Sequence, residues 1–388
     1  MSPEKKYAQS RFILYTVMIG AFLSMFDSGV VNVGLPVIAG QFRADIHAVQ
    51  WIASIYLLVM SALLPILGTV ADHFGRRRVY NLGFFVISIF TLLCGLAPNL
   101  TTLIGTRILQ AVGGAMAMVM ANGLAIVTEH YPPSERGRNI GLLVTMMAIG
   151  SIAGPPLGGL AIGLWGWRSV FYLTFVVSMA GFIASWFSLP RDTKARETGY
   201  RFDIAGSLLL ILWIVTFIYG FSNLPVLGLR DPLIGGSIAI FAVSFALFII
   251  QERRKVHPVV HLSLFGNWVF TTSIIASLLS FVTMFAPAVL LPFYYQNVLG
   301  ISPQGAGLYM MAFPVAMAVV SPLSGALSDR IGSVSLFTAL QGPYSLHEGA
   351  AFLHSVKYVY YLAAGLSFVG AAVSAVRNQR IQRTEVSK

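Results

Sequence analysis

Eleven long apolar runs, each close to the length of a membrane crossing, divide this chain from end to end. They lie near residues 12–34, 50–71, 80–98, 102–127, 140–163, 168–189, 204–222, 233–250, 268–291, 304–328 and 357–376. A helix rises about 1.5 Å per residue, so roughly 20 apolar residues cover the hydrocarbon core of a bilayer. No water reaches backbone amides and carbonyls there, so runs of this length can cross only as helices. The expected fold class is therefore an all-α integral membrane protein. Composition agrees: 10% of the 388 residues are charged and the mean hydropathy is +0.78, against about 25% charged residues in a soluble domain. The first run is too long for the core of a signal peptide and lacks a small-residue cleavage site. Cys94, the one cysteine, sits within an apolar run and reads as a packing residue.

The net charge of +11 would suit a nucleic-acid partner, but its distribution excludes that class. Sixteen Lys and Arg residues fall in the N-terminal lead and in the loops after even-numbered runs. The loops after odd-numbered runs hold three, Arg43, Arg168 and Arg230. That asymmetry is a topology signal, and it places the N-terminus and the even loops on the cytoplasmic side of a cell (inner) membrane.

The charges that remain cluster. Gly68 to Tyr80 reads GTVADHFGRRRVY and packs Asp72, Arg76, Arg77 and Arg78 into a turn between two runs. The turn must lie at a membrane surface. Gly68 and Gly75 suit close helix approach and a tight reversal. A second version, Gly325-Ala-Leu-Ser-Asp329-Arg330-Ile-Gly332, recurs downstream with Ser333 in place of a basic residue. Asp27 and Arg107 lie inside runs, where a charge is costly and is by default a functional candidate. By helix rise Asp27 sits about 13 Å and Arg107 about 10 Å below the outer ends of their runs, at similar depth. Two readings stay open for them. Either they face one polar cavity, or Asp27 pairs with a neighbouring helix while Arg107 snorkels to the headgroups.

The G-x-x-x-D-x-x-G-R-R order of the charged turn resembles the loop between helices 2 and 3 of major facilitator transporters. Phe26-Asp27-Ser-Gly29-Val-Val-Asn32-Val-Gly34-Leu-Pro36 is similar to the first helix of drug–proton antiporters, with Gly29 and Gly34 where Thr and Ala are usual. Arg107-Ile-Leu-Gln110-Ala111-Val-Gly113 resembles their fourth-helix motif, with Ala111 replacing glycine. Gly150-Ser-Ile-Ala-Gly154-Pro155-Pro156-Leu-Gly158-Gly159 resembles the antiporter motif of fifth helices and is the most discriminating of the set. Two runs after a short linker, then Pro292 to Gly300 and Ser302 to Gly307, resemble the fourteen-span branch.

The resemblance implies a major facilitator type bundle in three parts. These are a six-helix half over 1–190, two inserted helices with linkers over 191–260, and an incomplete second half over 261–388. It further implies proton-coupled efflux of small amphipathic or drug-like compounds by alternating access. Asp27 and Arg107 would carry proton coupling, and Asn32, Gln110, Met116 and Met120 would line the substrate cavity. Gly68, Asp72, Gly75, Arg76, Arg77, Asp329 and Arg330 would form a conformational latch. Gly150, Gly154, Pro155, Gly158 and Gly159 would form the hinge. The methionines have a second reading as interface filler.

After residue 332 the resemblance breaks, because one clear run, Lys357 to Val376, stands where the family has four spans. A single crossing there would put Arg377, Arg380, Arg383 and Lys388 outside, against the charge rule. An extra span over Ile331 to Phe352 is opposed by Gly342-Pro343 and His347-Glu348. The preferred expectation is that about three helices are lacking. The alternative function is then a truncated, non-transporting remnant or a membrane interaction partner.

Other chemistry has little support. His257 and His261 have a helical metal spacing, but Pro258 interrupts it and no carboxylate completes it. No phosphate loop and no hydrolase triad pattern occurs in the sequence. The expectation is no enzyme, no cofactor, no metal and no nucleic acid, with protons, a small molecule and the bilayer as partners.

Overall fold

A computed structural model of the chain describes residues 3–117, 123–189, 203–255, 260 and 262–318. Met120, the 191–202 linker, His257, His261, Asp329, Arg330 and the 357–376 run lie outside the described residues. All regular structure among the described residues is helical. The α-helices are α1 (Pro3–Phe42), α2 (Ile46–Phe74), α3 (Arg76–Gly95), α4 (Leu100–Met116), α5 (Leu124–His130), α6 (Pro133–Trp165), α7 (Ser169–Ser188), α8 (Ile204–Leu227), α9 (Pro232–Arg254), α10 (Trp268–Phe293) and α11 (Pro303–Met310). Seven of them are long and apolar enough to cross a membrane. Within the 102–127 run α4 ends at Met116 and α5 begins at Leu124, and residues 118–122 lie outside the described residues.

The chain divides into two compact units. The first comprises residues 1–260 and 295–311, and the second comprises 261–294 and 312–388. In the first, α1 packs along α6 and α7, α4 packs on α2 and α3, and α3 also meets α7. The α8–α9 hairpin leans on α2 through α8, and α11 packs on α6. Turns are closed by local chemistry. Asp45 caps α2 by accepting from the Ala48 amide at 2.6 Å, and Asn99 caps α4 through the Thr102 amide at 2.8 Å. Asp203 and Asp231 do the same for α8 and α9. Each cap satisfies amides that lack a partner inside the helix. Gly75 joins α2 to α3 at φ 101°, a backbone that side-chain-bearing residues rarely adopt.

The seam between α1 and α6 is made backbone to backbone. A Cβ on Gly150 would lie 2.4 Å from the Phe22 carbonyl oxygen, and one on Gly158 would lie 2.9 Å from the Val30 Cα. Gly154 and Gly29 face one another with Pro155 alongside. Lipid provides no hydrophobic drive between helices, so such close van der Waals contact is what holds them. On the other side of α1, Ile13, Leu14 and Val17 enter an apolar core with Tyr80, Phe84, Val127 and Leu143. Thr16 adds a 2.6 Å hydrogen bond to Ser188 on α7. Together these contacts fix the depth and rotation of α1, the helix that carries Asp27.

Within the second unit, a short 3-10 turn, Leu262–Gly266, leads into α10. Thr271 donates to the Phe265 carbonyl at 2.8 Å, and the Phe265 and Phe270 rings meet edge to face.

Candidate functional site: a buried ion pair at the meeting of four helices

Asp27 of α1 and Arg107 of α4 meet inside the first unit. Arg107 Nη1 donates to Asp27 Oδ2 at 3.0 Å. Both side chains are buried, at 0% and 2% exposure. Arg107 therefore points inward rather than snorkelling to the headgroups. The two residues, expected at similar depth from helix rise, are in direct contact. Neither side chain is exposed to solvent in this arrangement, so the pair does not line an open cavity. A buried charge of this kind is tolerated only when it is paired and hydrogen-bonded, and Arg107 Nε and Nη1 and both Asp27 oxygens have partners.

Arg107 has three further partners. Nη1 also donates to Gln110 Oε1 at 2.7 Å, and Nε donates to the Ile52 carbonyl on α2 at 3.1 Å. The face of the guanidinium lies over the Tyr56 ring, 4.3 Å from its centroid, a favourable cation–π geometry. Gly114 makes room for that ring, since a Cβ there would come within 2.6 Å of the Tyr56 hydroxyl. Gln110 lies three residues after Arg107 and so on the same face of α4. Its Nε2 donates to Asp27 Oδ1 at 3.2 Å and to Thr91 Oγ1 on α3 at 2.7 Å. Cys94, one turn on from Thr91, points its thiol at Gln110 Oε1 and Thr106 Oγ1.

The other candidates fall elsewhere. Asn32 is buried on α1 but takes no part in the hydrogen bonds around Arg107. Met116 lies against Gly83 of α3, in a helix seam. Asp72 and Arg76 form an ion pair at 2.7 Å, with Glu129 of α5 3.7 Å from Arg76. Arg77 donates to the Trp186 carbonyl at the end of α7. A Cβ on Gly68 would meet no described atom within 4 Å, so the close approach expected there is not made by the described residues. The glycines of α6 line α1 on one side. Gly159 and Gly163 face Pro303 and Gln304 of α11 on the other, and Gln296 donates to the Val33 carbonyl at 2.9 Å. An open recess of about 600 Å³ lies between the α1–α2 turn, from Gly40 to His47, and Asn297.

Tyr56, Thr91, Glu129 and the Ile52 carbonyl were not singled out by sequence, and Cys94 was read only as a packing residue. A threonine or tyrosine in an apolar helix is ordinary, and a backbone acceptor has no sequence signature.

Residues 17–384 match the family model of the Major Facilitator Superfamily. The chain belongs to that superfamily. It is 32% identical over 368 residues to the riboflavin transporter RibZ of Clostridioides difficile (strain 630), covering 95% of this chain and 79% of that one. It is 33% identical over 316 residues to the multidrug resistance protein Stp of Mycobacterium tuberculosis (strain ATCC 25618 / H37Rv), covering 81% of this chain and 58% of that protein. The fold is shared with the crystal structure of a bacterial homolog to the human lysosomal transporter Spinster, in an inward-facing and unoccupied conformation. There the TM-score is 0.58 at 18% identity, over 97% of this chain and 75% of the other. As a major facilitator chain it is a multi-pass membrane protein of a transporter family, not an enzyme.

Proposed function

We propose that this major facilitator chain exports small amphipathic, drug-like compounds in exchange for protons, by alternating access. The observation that carries the reading is the buried Asp27–Arg107 pair, joined at 3.0 Å. A carboxylate held inside membrane helices is stabilised by its guanidinium partner. A proton placed on it neutralises the carboxylate and removes the charge–charge attraction, so protonation changes how α1 is held against α4. In the sealed arrangement neither solvent nor cargo reaches Asp27. Proton exchange then requires the bundle to open, and this is what couples the proton to the change of access.

The remaining assignments belong to the same proposal. Asp72, Gly75, Arg76 and Arg77 act as a surface latch, a carboxylate and an arginine at adjoining helix ends. Gly150, Gly154, Pro155, Gly158 and Gly159 form a close-packed hinge face. The N-terminus and the α2–α3 turn face the cytoplasm of a cell membrane, following the distribution of Lys and Arg. The three-part division at residues 190 and 260 is kept as the evolutionary plan, with α8 and α9 as the inserted pair. The multidrug-resistance name of Stp and the riboflavin-transporter name of RibZ support small organic cargo.

The test is reconstitution of the full chain in liposomes with an imposed pH gradient and a fluorescent amphipathic cation as cargo. The parent chain should accumulate dye against its gradient, and Asp27→Asn should only equilibrate it. Gradient-driven accumulation that survives Asp27→Asn undiminished, or a parent chain indifferent to the gradient, overturns the proposal.

A further inference from the structure

The hydrogen bonds around Gln110 leave its amide a single orientation. Arg107 can only donate, so the atom 2.7 Å from its Nη1 must be the amide oxygen. Thr91 has committed its one hydroxyl proton to the Ile87 carbonyl at 2.5 Å, so towards Gln110 it can only accept. The amide nitrogen is thereby turned to Thr91 and, with its second proton, to Asp27. Gln110 is thus held by α3 in a position where it serves both members of the ion pair at once.

The partners of the two charges divide unevenly. Asp27 is hydrogen-bonded to Arg107 and Gln110, both on α4. Arg107 has Asp27, but it also has the Gln110 oxygen, the Ile52 carbonyl and the Tyr56 ring, which come from α4 and α2. A buried arginine stripped of its counter-charge is strongly destabilising unless other acceptors remain. Here they remain, and the Gln110 contact is the shortest of them.

We infer that Gln110, with its amide fixed by Thr91, is the neutral partner that keeps Arg107 seated when Asp27 takes up its proton. Protonation then loosens α1 from α4 while α2, α3 and α4 stay joined around the guanidinium. Thr91 and Gln110 are positioning residues in this scheme, acting through Arg107 and not on cargo. The inference rests on the proton-coupled reading above, and its test separates the two.

Thermal unfolding is measured for four detergent-purified full chains: the parent, Thr91→Val, Asp27→Asn and the double variant. Asp27→Asn mimics the protonated state, in which Arg107 leans on Gln110. Thr91→Val should therefore lower the melting temperature more in the Asp27→Asn chain than in the parent. In liposomes, Thr91→Val should lose most gradient-driven accumulation yet still equilibrate cargo, and Thr91→Ser should restore it. Equal melting shifts in the two backgrounds overturn the inference, since a merely structural Thr91 gives additive losses. So does a Thr91→Val chain that accumulates cargo as the parent does, or a Thr91→Ser chain no better than Thr91→Val. A parent chain without gradient-driven transport would sink the functional reading alone, because the melting comparison does not depend on it.

Discussion

Asp27 was legible from sequence because hydrocarbon makes any charge conspicuous, and Arg107 for the same reason. Their value to one another depends on groups that sequence could not point to. Arg107→Leu leaves the Asp27 carboxylate without its cation, and such one-sided deletions of a buried pair cost about 3–5 kcal/mol. Chemical unfolding in detergent should show that loss for Arg107→Leu, and adding Asp27→Asn to the same chain should recover part of it. Arg107→Lys should resemble Arg107→Leu more than the parent. A lysine lacks the Nε–H that meets the Ile52 carbonyl at 3.1 Å and the flat cation that lies over Tyr56. Thr91, Tyr56 and Gly114 escaped the sequence reading because their roles depend on how α2, α3 and α4 are rotated against one another. Spacing along one helix carries no record of the rotation of its neighbour.

Helices were the most legible part of the chain, since a long apolar run in lipid has one outcome. Their ends were less so. α1 runs from Pro3 to Phe42 where hydropathy marked 12–34, and α2 starts at Ile46, four residues before its expected start at residue 50. In the case of α2 the boundary is set by the Asp45 cap, which accepts from the Ala48 amide and starts the helix ahead of the continuous apolar run. The glycine-rich face of α6 was recognised as a motif, but its partner surface on α1 was not. Gly150→Leu should cost about 1–3 kcal/mol by overpacking against a backbone carbonyl that cannot yield. Gly68→Ala should stay within about 0.5 kcal/mol of the parent in the same unfolding assay, since the space beside it is open. Asp231→Ala removes the cap that accepts from the Leu233 amide at 2.8 Å. It should lower stability by about 0.5–2 kcal/mol, read from the melting of the purified chain.

Across the whole molecule, the alternation of helices converts local charge counts into a statement about sides. An epitope inserted in the α8–α9 turn, at Gly228 to Asp231, should be detected on intact cells. The same epitope in the α2–α3 turn, at Gly75, should be detected only after permeabilisation, and the reverse pattern would invert the proposed orientation. The division into two compact units cuts the chain at 260 and returns residues 295–311 to the first unit, something no linear reading of runs anticipates. Cys94 has one more consequence. It is the chain's one thiol, it is buried, and it rests on the same amide oxygen that receives Arg107. A sulfhydryl reagent can reach it only in the moments when the four helices part. The unmodified protein thus carries a clock of its own, and its rate of alkylation would count openings of the bundle without any label being engineered in.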